Sequence, residues 1–417
     1  MAEPLAGLLL AEREKRGKED GGRRGERFGR ASHPRPPGRL VWVHAASVGE
    51  TVAVLPLISA LARRGLSLLL TTGTVTAAAV ADQRLPSGAT HQFMPIDTPA
   101  ALGRFLDHWR PELALFAESE LWPTALAALG RRAMPLAVVN ARMSERSSRH
   151  WRYVTPFARA VLGRVDLCLA QTPADAVRLS ELGAREVVVC GNLKYDVPPP
   201  PADPVAVTRM RGDIGDRFVL LAASTHPGEE VAILDAHAEI ARMERPILTI
   251  LAPRHPERGE QIAADIRTAG LSLRRRSRAE PISASTDVYL ADTIGEMGLW
   301  YRLADAAFLG GSMVARGGQN PIEPAKLGVP ILHGASVANF RDVYDALHAA
   351  QAVIAVGEEL SLAEAVRRLV ENPESRKRLA GAARACVERS TGALGRTLSA
   401  LDPLLAKISG EPIAPRA

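Results

Sequence analysis

Residues 40–73 read LVWVHAASVGETVAVLPLISALARRGLSLLLTTG. An apolar run at 40–47 has the pattern of a strand, 50–64 that of a helix, and 67–73 that of a second strand. Strands that are almost continuously apolar are buried on both faces, and a helix joining two of them makes their pairing parallel. The alternation continues outward. Further strand-like runs lie at 91–96, 112–118, 135–141, 165–171 and 186–191, with helical stretches such as 98–109 and 122–133 between them. Residues 197–204, VPPPPADP, then carry five prolines, which fix φ and remove backbone donors. They read as a linker. Beyond them strands recur at 217–224, 246–253, 287–292, 306–311, 330–334 and 352–357, and from 358 onward the pattern is helical. These runs define an α/β chain of two Rossmann-like domains, with parallel sheets expected to face an interdomain cleft. The expected spans are an N-terminal segment 1–34, a first domain 35–196, the linker 197–204, a second domain 205–390, and a helix within 391–417 crossing back to the first domain.

A length of 417 residues exceeds one typical core, in keeping with two domains. The chain carries 52 Lys+Arg against 46 Asp+Glu, a net charge of +6. That surplus suits anionic partners such as nucleotides, phosphorylated lipids or a membrane surface. Aromatic residues make up only 4% and no recognition helix or stacking motif stands out, which argues against nucleic acid. Cys168, Cys190 and Cys386 are odd in number and far apart, with neither disulfide nor metal spacing, so a reducing compartment is expected. No run approaches the ~18 apolar residues of a transmembrane helix. PLAGLLLA at 4–11 followed by a basic stretch at 13–30 suits either a membrane-proximal segment or a solvated terminal helix.

Open α/β sheets bind ligands outside the carboxyl ends of their strands, and the polar motifs sit there in both halves. VHAASVGE places Ser47, Gly49 and Glu50 where the first strand turns into a helix. The pattern fits a capping box, and equally a carboxylate base near the positive end of the helix dipole. AESELWP (117–123) sets Glu118 and Glu120 one residue apart, where acids can drive one another's pKa values, or that of Glu50, apart. NARMSERSSRHW (140–151) carries Arg142, Arg146 and Arg149, suited to an anionic acceptor, and GNLKYD (191–196) adds Lys194. The second half offers STHPGEE (224–230), LAPRHPER (251–258) and IGEM (294–297). His255 has no second ligand at a useful spacing, so no metal is expected there.

The most elaborate motif is GGSMVARGGQNPIEPAKLG (310–328). Two glycine pairs, Gly310-Gly311 and Gly317-Gly318, precede Asn320 as N-cap, Pro321 at the first helical position and Glu323 at the third. Such a loop brings backbone N–H groups up to a phosphate; the alternative is an ordinary capped turn closed by Glu323. Taken together, the second half reads as a nucleotide site and the first as acid/base chemistry on an anionic acceptor. That is the division of labour of a two-domain glycosyltransferase.

In order, WVHAASVGE, ESELWP, NARMSERS, GNLKYD, STHPGEE, PRHPER, GEMGLWY and GGSMVARGGQNPIEP resemble the pattern of bacterial 3-deoxy-D-manno-octulosonic acid (Kdo) transferases of the lipid A pathway, over roughly residues 13–350. The resemblance implies a GT-B fold with an acceptor domain followed by a CMP-sugar domain. It implies inverting transfer of Kdo from CMP-Kdo to a lipid A precursor of the lipid IVA kind, in lipopolysaccharide biosynthesis at the cytoplasmic face of the inner membrane, without metal or cofactor. Glu50 then matches the general base, and Glu118 and Lys194 match stabilising residues. Pro253, Arg254, Gly295, Glu296, Met297, Asn320, Pro321 and Glu323 match CMP contacts, and Ser47, Gly49, Arg142, Gly317 and Gly318 join them in binding substrate. Three departures stand out. Gln319 replaces a common histidine, Gly334-Ala335-Ser336 replaces Gly-Pro-His, and the family's N-terminal membrane helix is not matched. The residues alone leave open another GT-B enzyme using a UDP-sugar, as transferase or epimerase, or a non-catalytic protein binding anionic glycolipid.

Overall fold

The computed structural model describes residues 2–242 and 246–409. The chain divides into two compact units, Met1–Val197 with Ser390–Ala417, and Pro198–Arg389. The first holds β1 (Leu40–Ala45), β2 (Ser67–Thr72), β3 (Ala89–Phe93), β4 (Leu113–Ala117), β5 (Leu136–Ala141), β6 (Leu167–Ala170) and β7 (Val187–Val189). They form one sheet in the order β3-β2-β1-β4-β5-β6-β7, with every pairing parallel. Leu40 and Trp42 pack on one side with Phe105, Trp109 and Phe116. Val41, Val43 and Ala45 pack on the other with Val54, Leu57 and Ile58. Burial on both faces is why β1 reads as an unbroken apolar run. Leu401 and Leu404 of the Ala393–Ser409 helix join the second of these clusters. Asp196 fastens the start of that helix, accepting from Gly392 N at 2.7 Å and Leu394 N at 2.6 Å. Cys168, Cys190 and Cys386 are all buried.

The basic stretch at 13–30 is built into this unit through ion pairs with its own acids. Arg27 is buried, bonded to Glu19 at 2.9 Å and donating to the Met94 and Gly73 carbonyls at 3.0 and 2.7 Å. Glu26, also buried, pairs with Arg23 at 2.9 Å and accepts from Phe93 N at 2.7 Å. Both guanidinium groups lie 4.7 Å from the Phe93 ring centre, a cation–π arrangement. The segment therefore ties itself to the carboxyl ends of β2 and β3. Glu14, Glu19 and Glu26, interleaved with the arginines, make this possible. Leu8 and Leu9 of the Ala2–Lys15 helix stay exposed. Among the described residues no helix is long and apolar enough to cross a membrane.

The second unit holds β8 (Phe218–Thr225), β9 (Ile247–Pro253), β10 (Leu273–Arg275), β11 (Val288–Leu290), β12 (Ala306–Leu309), β13 (Ile331–His333) and β14 (Val353–Ala355). Its parallel sheet runs β10-β11-β9-β8-β12-β13-β14. Strand β10, sequence LRR, was not anticipated; it is short, basic and at the sheet edge, paired among the described residues with β11 alone. The proline segment lies along the Met297–Leu303 helix. A Cβ on Gly298 would collide with the Pro201 carbonyl, and Arg302 donates to the Pro200 carbonyl at 2.8 Å. In both sheets the strand order reverses beside the first strand, between β1 and β4 and between β8 and β12; in the second sheet β10 and β11 are also exchanged at the edge. At such a switch point neighbouring connections leave in opposite directions and open a crevice at the strands' carboxyl ends.

Candidate active site

At the first switch point, Ser47 caps the Val48–Arg63 helix. Ser47 Oγ accepts from Glu50 N at 3.3 Å and donates to Glu50 Oε1 at 2.7 Å, while Ala46 N donates to Oε2 at 2.9 Å. The capping box is therefore real, and it also fixes the carboxylate. Each oxygen has a second lone pair with which to accept a proton. Burial, reinforced by the charges of Glu118 and Glu120, pushes the Glu50 carboxyl above its ordinary value, against the pull of the Ser47 and Ala46 bonds. A Cβ on Gly49 would meet nothing within 4 Å, so the surface over the first helical turn is left bare.

Glu118 follows β4 with φ +54°, a left-handed conformation costing on the order of 1–3 kcal/mol for a non-glycine residue. Its carboxylate receives Lys194 Nζ at 2.7 Å, both side chains largely shielded. The left-handed turn ends strand alternation, so the one-residue spacing does not set Glu118 and Glu120 on one strand face. Glu120 Oε2 instead accepts from Trp122 Nε1 at 2.8 Å and lies 3.6 Å from His44 Nε2. Burial raises the Glu120 carboxyl, but His44 and Trp122 outweigh it and leave the pKa lowered. The Arg142 carbonyl accepts from Ser119 Oγ at 2.5 Å, which draws the arginine's loop to the same edge. Arg146 and Arg149 are exposed, Arg149 facing Glu145 at 3.3 Å.

Asn140 was not singled out from the sequence. It ends β5 with φ +52° and is buried. Its Oδ1 accepts from Leu193 N at 2.9 Å, so it holds the short turn Leu193–Tyr195 that carries Lys194. The available signal was an asparagine at a strand end, a residue type tolerated in the left-handed region.

At the second switch point the glycine-rich loop departs from expectation. The amides of both its glycine pairs are already taken, Gly310 N by the Ala223 carbonyl at 2.8 Å. Glu229, fully buried at the start of the Glu229–Ile240 helix, accepts from His226 N at 2.9 Å, Gly311 N at 2.7 Å, and Ser312 N and Met313 N at 3.0 Å each. Gly317 N donates to Ser336 Oγ at 3.0 Å and Gly318 N to the Gly311 carbonyl at 2.8 Å. The glycines serve close approach: a Cβ on Gly310 would collide with the Ser224 carbonyl. Asn320 is not the N-cap. The helix is only Ile322–Lys326, capped by Pro321. An Asn320 cap would need an N–H from Pro324, which proline lacks, so the first bond is Ala325 N to the Pro321 carbonyl at 3.2 Å. Asn320 Oδ1 accepts from Ile322 N at 3.0 Å, and its amide lies 3.4 Å from Glu323 Oε1.

The remaining predicted residues also lie at strand ends. Pro253 ends β9 opposite Thr225, and Arg254 N donates to the Thr225 carbonyl at 3.0 Å. Gly295 has φ +89°, and Met297 begins the helix after β11. Glu296 is bonded to Arg276 Nε at 3.0 Å and to Thr293; the Arg276 bond chiefly holds its carboxyl below the ordinary range.

Two doubly wound parallel units, each with its polar side chains gathered at a switch point, define the GT-B class. A solved UDP-N-acetylglucosamine 2-epimerase has the same fold, with a TM-score of 0.59 at 13% identity, covering 92% of this chain and 99% of that one. The family model for 3-deoxy-D-manno-octulosonic-acid transferase matches residues 22–197. A 3-deoxy-D-manno-octulosonic acid transferase of Bordetella pertussis is 40% identical over 393 residues, 91% of each chain. That of Haemophilus influenzae is 34% identical, over 91% of this chain and 90% of its own. The chain belongs to this Kdo transferase family and is a glycosyltransferase.

Proposed function

We propose that this protein transfers Kdo from CMP-Kdo to a lipid A precursor of the lipid IVA kind, with inversion at the anomeric carbon and Glu50 as general base. The observation that carries the base assignment is Glu50 itself, a half-buried carboxylate pinned by Ser47 and Ala46 and pushed up in pKa. A sugar hydroxyl is a poor nucleophile until a carboxylate takes its proton, and a base nearer neutrality does so more effectively. Attack comes from the face opposite the departing CMP, as in inverting glycosidases. The Lys194–Glu118 pair places a cation beside this carboxylate group to steady charge in the transition state. Pro253, Arg254, Gly295–Met297 and Asn320–Glu323 serve the nucleotide, and no metal or cofactor enters the scheme.

A location at the cytoplasmic face of the inner membrane belongs to the same proposal. The first unit exposes Tyr153, Val154 and Phe157 beside Arg149 and Arg152, an apolar and basic surface suited to an acylated, phosphorylated acceptor. The test is to supply CMP-Kdo generated in situ with a tetraacylated lipid A precursor and weigh the product by mass spectrometry. Added Kdo is the expected result. Transfer from a UDP-sugar instead overturns the donor assignment, and undiminished turnover by Glu50→Gln overturns the base.

A further inference from the structure

Because Glu229 holds the amides of residues 311–313, these three are not open to a phosphate at the β8–β12 switch point, and side chains there can meet it instead. Three come together there from separate strand ends: His226 after β8, Arg254 after β9 and Arg316 after β12. A Cβ on Gly311 would lie 3.2 Å from His226 Cδ2 and 3.3 Å from Arg316 Cβ, so the imidazole and the arginine stem flank the same glycine. Gln319 Nε2 stands 3.4 Å from His226 Nε2, and the His255 ring centre is 5.8 Å from that of His226. Nearby arginines of this unit have acid partners: Arg258 with Glu230 and Arg275 with Asp292 at 2.7 Å each, and Arg276 with Glu296. Among the described residues Arg254 and Arg316 have none. Both are exposed, while His226 is half-buried. Two arginines without an acid, around an imidazole able to gain a proton, make a receptor for a phosphate.

We propose that His226 and Arg316, together with Arg254, hold the nucleotide phosphate, and that His226 takes up a proton from solvent when the phosphate becomes the dianion of the leaving nucleotide. This rests on the CMP-Kdo reading above. In the donor the phosphate is a diester with one negative charge. As the bond from the sugar carbon to the phosphate oxygen breaks, its electron pair stays on that oxygen. The acceptor oxygen forms the new bond to the sugar carbon, and its proton passes to Glu50. The freed monoester has a second ionisation near pH 6, so at neutral pH its charge roughly doubles. The groups facing His226 explain the proton linkage. Burial lowers its pKa most, Glu229 opposes this, and His255, Arg316 and Arg254 lower it further. A dianion seated among these cations cancels their repulsion and favours the imidazolium.

The test is calorimetric titration of CMP and of cytidine into the full chain at pH 7.5, in two buffers of different ionisation enthalpy. Wild type is expected to take up a fraction of a proton per CMP and none per cytidine. His226→Gln should abolish that uptake and weaken CMP about fivefold to tenfold, and Arg316→Ala should weaken it about tenfold, with cytidine affinity unchanged in both. Unchanged CMP affinity and proton uptake in His226→Gln overturns the proposal. If His226→Gln loses cytidine binding as well, Arg316→Ala, altered at an exposed residue, decides: undiminished CMP affinity there overturns the phosphate cradle. Failure of wild type to bind CMP while binding UMP overturns the donor reading instead, and the same titrations with UMP then judge the cradle.

Discussion

The β1–β4 and β8–β12 switch points are alike in topology and opposite in how they use a carboxylate. Glu50 and Glu229 both sit in the first turn of a helix that follows a strand. Glu50 accepts two hydrogen bonds and remains half-buried, with lone pairs to offer. Glu229 accepts four from backbone amides and is fully buried, so its charge is consumed in joining the loop after β8 to the loop after β12. One carboxylate keeps lone pairs for the chemistry proposed for it, and the other is part of the scaffold. The number of bonds each accepts decides which, because a carboxylate saturated with donors is both hard to protonate and costly to remove.

Replacing each by glutamine should break the comparison most visibly. Glutamine is allowed at the third position of a capping box, so Glu50→Gln keeps the helix start and removes only the proposed base. Transfer should fall by about 10²–10⁴, with CMP affinity unchanged in a binding titration. Folded Glu50 binds its proton more tightly than the unfolded chain does. Its stabilising contribution is therefore full below the unfolded pKa and lost as pH rises through the folded one, so ionised Glu50 works against folding at neutral pH. Glu50→Gln should consequently not lower the melting temperature. Glu229→Gln is the reverse case. Its new amide faces the N–H groups of His226 and Gly311, stranding both, at a cost on the order of 3 kcal/mol. A clear drop in melting temperature and weaker CMP binding are expected. Equal thermal stability in the two variants would refute the distinction.

A smaller effect sharpens the chemistry at the first switch point. The Glu118 charge raises Glu50, while Lys194 is paired to Glu118. Glu118→Gln removes a negative neighbour, which makes ionised Glu50 easier to form. Its pKa then falls, so the acid limb of the rate profile should move to lower pH. A limb that stays in place or moves upward would show that Glu50 is not the titrating base or that Glu118 does not act on it.

The fold was legible because strands buried on two faces leave long apolar runs, as β1 and β8 do. Strand β10 was hidden because an edge strand of sequence LRR has no such run. In the site, strand-end residues such as Glu50 and Glu118 could be placed from the sequence, but not their partners. Lys194 reaches Glu118 across 76 residues of chain, a distance that spacing does not encode. Glu229 looked like any acidic residue at a helix start, and its four amide partners come from two separate loops. Asn320 was misassigned because Asn-Pro is a strong helix-start signal, whereas Pro324, four residues on, has no N–H to complete it. How the basic N-terminal stretch packs was not legible, because net charge ignores which acid each arginine meets.

The smallest expected effect concerns Asn140, which touches neither substrate in the proposed scheme. Its Oδ1 holds Leu193 N, and through that turn it positions Lys194 against Glu118. Asn140→Ala removes the acceptor and puts a less tolerant residue at φ +52°, at a combined cost of about 2 kcal/mol. Turnover should fall several-fold to about tenfold, with CMP affinity unchanged because the residues proposed for the nucleotide belong to the other unit. Asn140→Gly separates the two causes, since glycine accepts the left-handed backbone but still lacks the Oδ1 acceptor. If the bond to Leu193 is what aligns Lys194, Asn140→Gly should be as slow as Asn140→Ala while recovering part of its stability. Full turnover in the glycine variant would show that backbone strain, and not the hydrogen bond, lies behind the loss.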